Sequence, residues 1–220
     1  MGIIPEEHKP HIKEDLNKRM KENVKLIVFT QETECPYCKQ NRELVEEIAT
    51  LTNKIEVEVY DFLKNKDKAT EYKIDKIPAT IILGEKDYGI RFYGLPYGYE
   101  FKPFLETIIN ISNRDSKLPE KIKTQLKTIT RPIHIQIFVT LTCPYCPLVT
   151  ETALKFAMEN DLIRVDVIDA NEFLHLAHKY GVMGTPKTII NERTEFLGVL
   201  AEEQFLAQIT AAQRPSEMYV

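Results

Sequence analysis

Tryptophan is absent from this chain of 220 residues, glycine occurs 8 times and cysteine only 4 times. Four cysteines are too few for the dense covalent framework of a small secreted scaffold. A charge excess of one sign is also missing: 29 Lys and Arg stand against 33 Asp and Glu, a net charge of -4. That balance offers no field for a phosphate backbone and argues against nucleic acid as a partner. Long apolar runs are lacking too. The longest uncharged stretch, Pro132 to Thr150, has membrane-spanning length but contains His134, Gln136, several Thr, Pro144 and Pro147, so a buried strand followed by a loop is expected there. Glu6 and Glu7 arrive before any apolar stretch that would serve as a signal peptide. Glu6 also stands where a myristoylation signal needs Ser or Thr, and the Met218-Tyr219-Val220 end has no prenylation cysteine. The expectation is a cytoplasmic protein with no membrane partner.

What is present is 43% hydrophobic and 28% charged residues, a globular composition, in a length that suits two domains of about 100 residues. The chain repeats itself. Cys35 and Cys143 are 108 positions apart, and so are Pro78 and Pro186. At the same offset Val57 matches Val165, Val59 matches Val167, Asp61 matches Asp169 and Tyr72 matches Tyr180, while Thr80, Ile81 and Ile82 match Thr188, Ile189 and Ile190. An offset held this long points to duplication of one folding unit.

The pattern of elements is the same in both halves. In the first, Val24 to Thr30 is an apolar strand, and Pro36 to Leu51 is a helix with Leu44, Ile48 and Leu51 on one face. Ile55, Val57 and Val59 alternate with acids as in a half-buried strand ending at Asp61. A polar helix leads to Pro78 and the strand Ala79 to Leu83, a strand near Ile90 to Tyr93 pairs with it, and Phe104, Leu105, Ile108 and Ile109 mark a closing helix. The second half predicts strands at 133–139, 163–168, 187–190 and 195–199, and helices at 144–159, 171–180 and 202–212. An extra amphipathic helix precedes each set, with Ile12, Leu16 and Met20 in one and Ile122, Leu126 and Ile129 in the other. The polar run Ser112 to Ser116 is the expected junction, dividing the chain into 1–115 and 116–220.

Each half carries Cys-Pro-Tyr-Cys between a strand and a helix: Cys35 to Cys38, and Cys143 to Cys146. Pro36 and Pro144 are placed at the first helical position, where a missing N–H costs nothing. The free N–H groups and partial positive charge of a helix N-terminus stabilise a thiolate. The first cysteine of each pair is therefore the expected nucleophile, and the second, two residues on, is placed to displace whatever the first has captured.

Cys-Pro-Tyr-Cys is the glutaredoxin form of the thioredoxin-fold motif, and two such motifs in one chain resemble the protein disulfide oxidoreductases of thermophilic archaea and bacteria. The resemblance covers essentially the whole chain. It implies an α/β protein of two tandem thioredoxin-like domains, each a mixed four-stranded central sheet flanked by helices, with the extra N-terminal helix in each unit. It also implies cis peptide bonds at Ile77-Pro78 and Thr185-Pro186, facing the motifs. There the backbone ahead of the proline stays open for pairing with an extended substrate. The substrate-binding set expected on this basis is Ile77, Pro78, Thr185 and Pro186, with Tyr37 and Tyr145 beside the thiols.

Two departures bear on mechanism. Thioredoxins carry a buried Asp six residues before the first Cys, where this chain has Phe29 and Ile137, so the proton of the resolving thiol must go to another group or to water. The halves read Lys-Ile-Pro and Gly-Thr-Pro, without the later Gly-Gly-acid stretch of glutathione-binding glutaredoxins, which argues against glutathione. No bound organic cofactor is needed. The approach to the first motif, Gln31-Glu32-Thr33-Glu34, opposes ionisation of Cys35, whereas Thr140-Leu141-Thr142 does not oppose that of Cys143. Cys143 is expected to be the more acidic nucleophile. Lys39 offsets part of that difference, and Pro147 is expected to remove an early helical hydrogen bond.

Other readings compete at several positions. The two pairs together supply the four thiolates of a zinc site, but 104 residues separate Cys38 from Cys143, so no metal is expected; a purely structural disulfide is the other alternative. Asp61 and Asp169 read as acids that end a strand and cap the next helix before they read as proton relays. Tyr37 and Tyr145 either shape the thiol surroundings or simply pack. His175 and His178 read as a solvated helix face, and Tyr72 and Tyr180 as packing residues. The leading function is thiol–disulfide exchange on protein disulfides and dithiols. The rival is an electron relay between a thioredoxin-reductase-like flavoprotein and a peroxiredoxin, as in the N-terminal part of flavoprotein peroxide reductases.

Overall fold

The computed structural model describes residues 2–213; the Met218-Tyr219-Val220 end lies outside them. Strand β1 (Val24–Thr30) is a nearly continuous run of buried apolar residues, as befits a strand covered on both faces. Beside it lie β2 (Ile55–Asp61), parallel, and β3 (Ala79–Leu83), antiparallel, with β4 (Asp87–Tyr93) antiparallel to β3. The second half repeats this with β5 (Ile133–Val139), β6 (Ile163–Asp169), β7 (Lys187–Ile190) and β8 (Thr194–Leu197). The seven-residue β2 alternates acids with half-buried aliphatics because it lies at the sheet edge.

The two four-stranded sheets are one sheet. β4 and β6 pair in parallel, Ile90 opposite Val165 and Tyr93 opposite Ile168, giving the order β2-β1-β3-β4-β6-β5-β7-β8. Each of these strands would otherwise leave a row of unpaired backbone groups, and pairing removes both edges. No residue pattern announced this join, because a buried strand reads alike whether its neighbour belongs to its own unit or to the other.

Helices α1 (Lys9–Arg19), α2 (Cys38–Thr50), α4 (Phe101–Asn113), α5 (Glu120–Leu126), α6 (Cys146–Glu159) and α8 (Glu202–Ala212) line one face. Their buried residues form one core running through both halves, with Leu16, Leu44, Phe104, Phe156 and Phe205 among its members. The short helices α3 (Lys66–Glu71) and α7 (Leu174–Lys179) cover the opposite face over Phe29, Ile81, Phe138 and Ile168. A short 3-10 turn, Gly98–Glu100, precedes α4. The uncharged run resolves into β5, a loop and the first turn of α6. Among the described residues no helix is long and apolar enough to cross a membrane.

The expected junction is more ordered than its composition suggests. Ser112 and Asn113 are the last residues of α4, and Arg114 turns the chain with φ 54°. Ser112 Oγ accepts from the N–H groups of Lys21 and Glu22, and Ser116 Oγ contacts Glu159. These serines are buried because they satisfy backbone ends and a carboxylate that the packing encloses.

Candidate functional site

Both pairs sit where a strand hands over to a helix, but the helices start later than the sequence suggested. Tyr37 and Tyr145 are the N-cap residues, and Cys38 and Cys146 open α2 and α6. Pro36 and Pro144 thus belong to the preceding turn rather than to the first helical position. That turn places the first cysteine of each pair over the exposed N–H groups. Pro147 lies among the first two residues of α6. At that point no intrahelical bond exists to be lost, so the cost attributed to it from sequence does not arise.

In the first unit Cys35 and Cys38 are joined in a disulfide, with Cys35 half-buried and Cys38 buried. A surface cleft of about 560 Å³ beside Cys35 is lined by Glu32, Lys39, Arg42, Asp61 and Lys64. Behind the pair Asn41 donates to Thr80 Oγ1 at 3.1 Å, both side chains fully buried. The residue matching Asn41 is Val149, and Thr188, which matches Thr80, has no partner for its hydroxyl among the described residues.

In the second unit Cys143 and Cys146 are free thiols. Burial pushes the Cys143 thiol up, but hydrogen bonds from the Cys146 thiol, the Tyr145 and Cys146 N–H groups and Thr185 outweigh it, and the net direction is down. The same burial, with the Cys143 sulfur beside it, pushes Cys146 up to about 12. One thiol is primed to ionise while its neighbour keeps its proton. In the protonated form Cys143 donates to the Thr185 carbonyl at 3.4 Å. The Ile77-Pro78 and Thr185-Pro186 bonds are both cis, in accord with the resemblance.

An acid that the sequence did not single out packs against the helix and loop that carry this second motif. Glu100, from the turn ahead of α4, is 1% exposed, and neither carboxyl oxygen has a bonding partner among the described residues. The Thr150 hydroxyl, one turn beyond Cys146 on α6, is close enough to favour ionisation but not in bonding geometry. Burial dominates and, with help from the charges of Glu151 and Asp169, pushes Glu100 up to about 7. Its turn is held by Tyr99 N–H, which donates to the Leu141 carbonyl at 3.0 Å. Gly98 stands at φ 58°, where a side-chain carbon would come within 2.3 Å of that oxygen. The first half of the chain thus sets an acid against the loop and helix that carry the second motif. Nothing in the stretch Tyr97-Gly98-Tyr99-Glu100 signals this, because the contact exists only once the two sheets have joined.

The remaining candidates separate. Asp61 Oδ1 accepts from the N–H groups of Leu63 and Lys64, and the Lys64 N–H does most to draw its carboxyl down; it closes the turn after β2 and does not cap α3 as expected, since the N-cap of that helix is Asn65. Asp169 likewise closes the turn after β6, accepting from Asn171 N–H at 2.8 Å, while the N-cap of α7 is Phe173; burial pushes the Asp169 carboxyl up. Close by, Glu172 is pushed up to about 7 by burial and accepts from Leu95 N–H across the join. Tyr37 and Tyr145 are exposed beside their cysteines rather than packed. Tyr72 packs edge-on to Phe29 and Tyr180 lies tilted against Phe138, and His175 and His178 lie exposed on α7.

Residues 23–106 and 133–211 each match the family model described as thioredoxin domain. Among solved structures the chain is similar to a protein disulfide oxidoreductase from Aeropyrum pernix k1, with 30% identity and a TM-score of 0.88 over 94% of this chain and 93% of that one. The N-terminal domain of the alkylhydroperoxide reductase AhpF from Enterococcus faecalis superposes with a TM-score of 0.86 at 22% identity, covering 94% of this chain and 99% of that one. This second likeness is one of fold. Among curated proteins, an NADH dehydrogenase of Bacillus subtilis is 26% identical over 94% of this chain and 39% of its own length. An alkyl hydroperoxide reductase component of Staphylococcus epidermidis is 27% identical over 80% of this chain and 32% of its own length. The chain therefore spans less than half the length of these two curated relatives. With one matched segment in each half and a whole-chain match to the Aeropyrum protein, the chain belongs to the thioredoxin-domain family and carries that domain twice.

Proposed function

We propose that the chain catalyses thiol–disulfide exchange on protein substrates through both Cys-Pro-Tyr-Cys motifs, with the units divided between Asp115 and Ser116. The observation that carries this is the split between two neighbouring thiols: Cys143 drawn down, Cys146 held up at about 12. The Cys143 thiolate attacks one sulfur of a substrate disulfide, forming a mixed disulfide and releasing the other sulfur as a thiolate. Cys146 then gives up its proton and attacks the Cys143 sulfur, releasing the second substrate thiol. The substrate gains two electrons and the Cys143–Cys146 pair becomes a disulfide; running backwards, the same steps oxidise a dithiol. We assign the Cys146 proton to Glu100, which packs beside Thr150, one turn beyond Cys146 on α6, and whose carboxyl, pushed up to about 7, takes and returns a proton at neutral pH. Cys35 and Cys38 perform the same exchange in the first unit. Ile77, Pro78, Thr185 and Pro186 receive the substrate backbone, with Tyr37 and Tyr145 flanking it.

A second reading has its own support. Most of the chain matches part of a protein named as a component of alkyl hydroperoxide reductase, which suits a relay that takes electrons from a thioredoxin-reductase-like flavoprotein and passes them to a peroxiredoxin. The two readings part in one comparison: turnover of insulin and scrambled ribonuclease against turnover in a peroxiredoxin-coupled peroxide assay. Efficient ribonuclease reactivation supports the first, whereas peroxide turnover with no activity on either protein disulfide would replace it by the second.

A further inference from the structure

The two sites have the same motif but different rims. Where the first unit has Lys39 and Gln40 after the motif, the second has Pro147 and Leu148. Ahead of the cis prolines, Asp75 and Lys76 give way to Met183 and Gly184. The strand pairing extends the contrast. Tyr93 lies opposite Ala79, and at the same place in the second unit Leu197 lies opposite Lys187. Tyr93 is buried at the β4–β6 join, with the Lys76 ammonium 3.8 Å over its ring. Leu197 sits on β8, the edge strand among the described residues, 65% exposed and within van der Waals reach of a side chain built at Gly184. Met183 is 96% exposed, Tyr145 63% and Leu148 54%. Tyr145 and Leu148 follow Cys143 at the start of α6, Met183 lies two residues before the Thr185 whose carbonyl takes the Cys143 hydrogen bond, and Leu197 reaches the Gly184 between them.

We infer that the second site docks an extended polypeptide segment whose cysteine is flanked by apolar side chains, seated on Tyr145, Leu148, Met183 and Leu197. The inference rests on Cys143 being the attacking thiol. Charge complementarity selects the occupant. No Asp, Glu, Lys or Arg occurs between Pro132 and Thr150 or between Gly181 and Pro186, and the charges beside Leu197, those of Lys187 and Glu195, pair with each other at 3.0 Å, so a charged flank pressed onto this rim would lose water and find no unpaired counter-charge. An apolar flank gains by burial, as would the four exposed side chains. A substrate that presents apolar residues beside its cysteine is a chain not yet folded, or one held open. The first rim, with Glu32, Lys39, Arg42 and Lys64 around its cleft, imposes no such preference.

The test uses two fluorescent peptides of equal length, with Ser in place of Cys so that no bond forms, one flanked by Leu and Phe and the other by Glu and Lys. Fluorescence anisotropy with the full chain is expected to show the apolar peptide bound roughly tenfold more tightly, about the gain from partly burying one large side chain. Met183→Asp with Leu148→Gln, which install the first unit's residues, is expected to bring the ratio below about threefold. Both positions are exposed, and Met183→Asp alone provides a milder check should the pair perturb the fold. Equal affinities for the full chain, or an unchanged ratio in both variants, would overturn the inference. Insulin reduction by the chain with Cys35→Ser and Cys38→Ser is read separately: its absence would remove the exchange chemistry at Cys143, while the binding ratio would still decide whether the rim docks apolar chain.

Discussion

A thiolate at Cys143 is stabilised by donors fixed before any substrate arrives, two of them backbone N–H groups at the start of α6. Preorganised donors of this kind lower a pKa without moving when the charge appears. Alkylation rates measured against pH are therefore expected to give Cys143, in a chain lacking the first pair, a lower apparent pKa than Cys35 in a chain lacking the second. A faster Cys35 would mean that Lys39 outweighs Glu32 and Glu34. Glu100 yields two opposed expectations from one substitution. Its folded pKa near 7 lies above its unfolded value, so the folded state binds the extra proton and stability falls as pH rises from the ordinary carboxylate range through 7. Glu100→Gln removes that loss. Urea unfolding is expected to show little difference at pH 5 and a gain on the order of 3 kcal/mol at pH 8, as an upper bound. Single-turnover release from the mixed disulfide at Cys143 is expected to slow by about a hundredfold or more in the same variant. A buried acid kept at a cost in stability is the usual sign of a group retained for function.

At the scale of elements, the loop before the second motif is braced by the turn that carries Glu100. Gly98→Ala would force a side chain into a left-handed backbone position and against the Leu141 carbonyl. A loss of about 2 kcal/mol or more is expected from thermal unfolding, together with slower alkylation of Cys143, two residues beyond Leu141. If stability fell and the thiol reacted as before, the turn would be structural only. The strands were legible because their signals are local: β1, β2, β3, β5 and β7 have the ends expected from apolar runs bounded by turn residues. The starts of α2 and α6 were misjudged by two residues, because proline marks the first helical turn and equally the turn before it.

For the molecule as a whole, the β4–β6 pairing gives the two sites different surroundings. It buries the proline side of the first site in mid-sheet and leaves that of the second beside β8, the edge strand among the described residues. It also brings Glu100, Asp169 and Glu172 together at the join. Residues 1–115 made alone would expose the β4 edge with Ile90 and Phe92 beside it, and size-exclusion chromatography is expected to show self-association of that fragment where the intact chain runs as a single species. A well-behaved monomeric fragment would show that the units need no mutual cover.

The duplication, the strand and helix order, the two motifs and their facing prolines follow from sequence alone, because each depends on residues a few positions apart or on one constant offset. The continuous sheet, the loan of Glu100 from one half to the other and the contrast between a charged and an apolar rim were decided by tertiary structure. Pairing across the join involves backbone groups that every residue has, and the pKa of a carboxyl is set by the water it has lost, which no neighbour in the chain reveals.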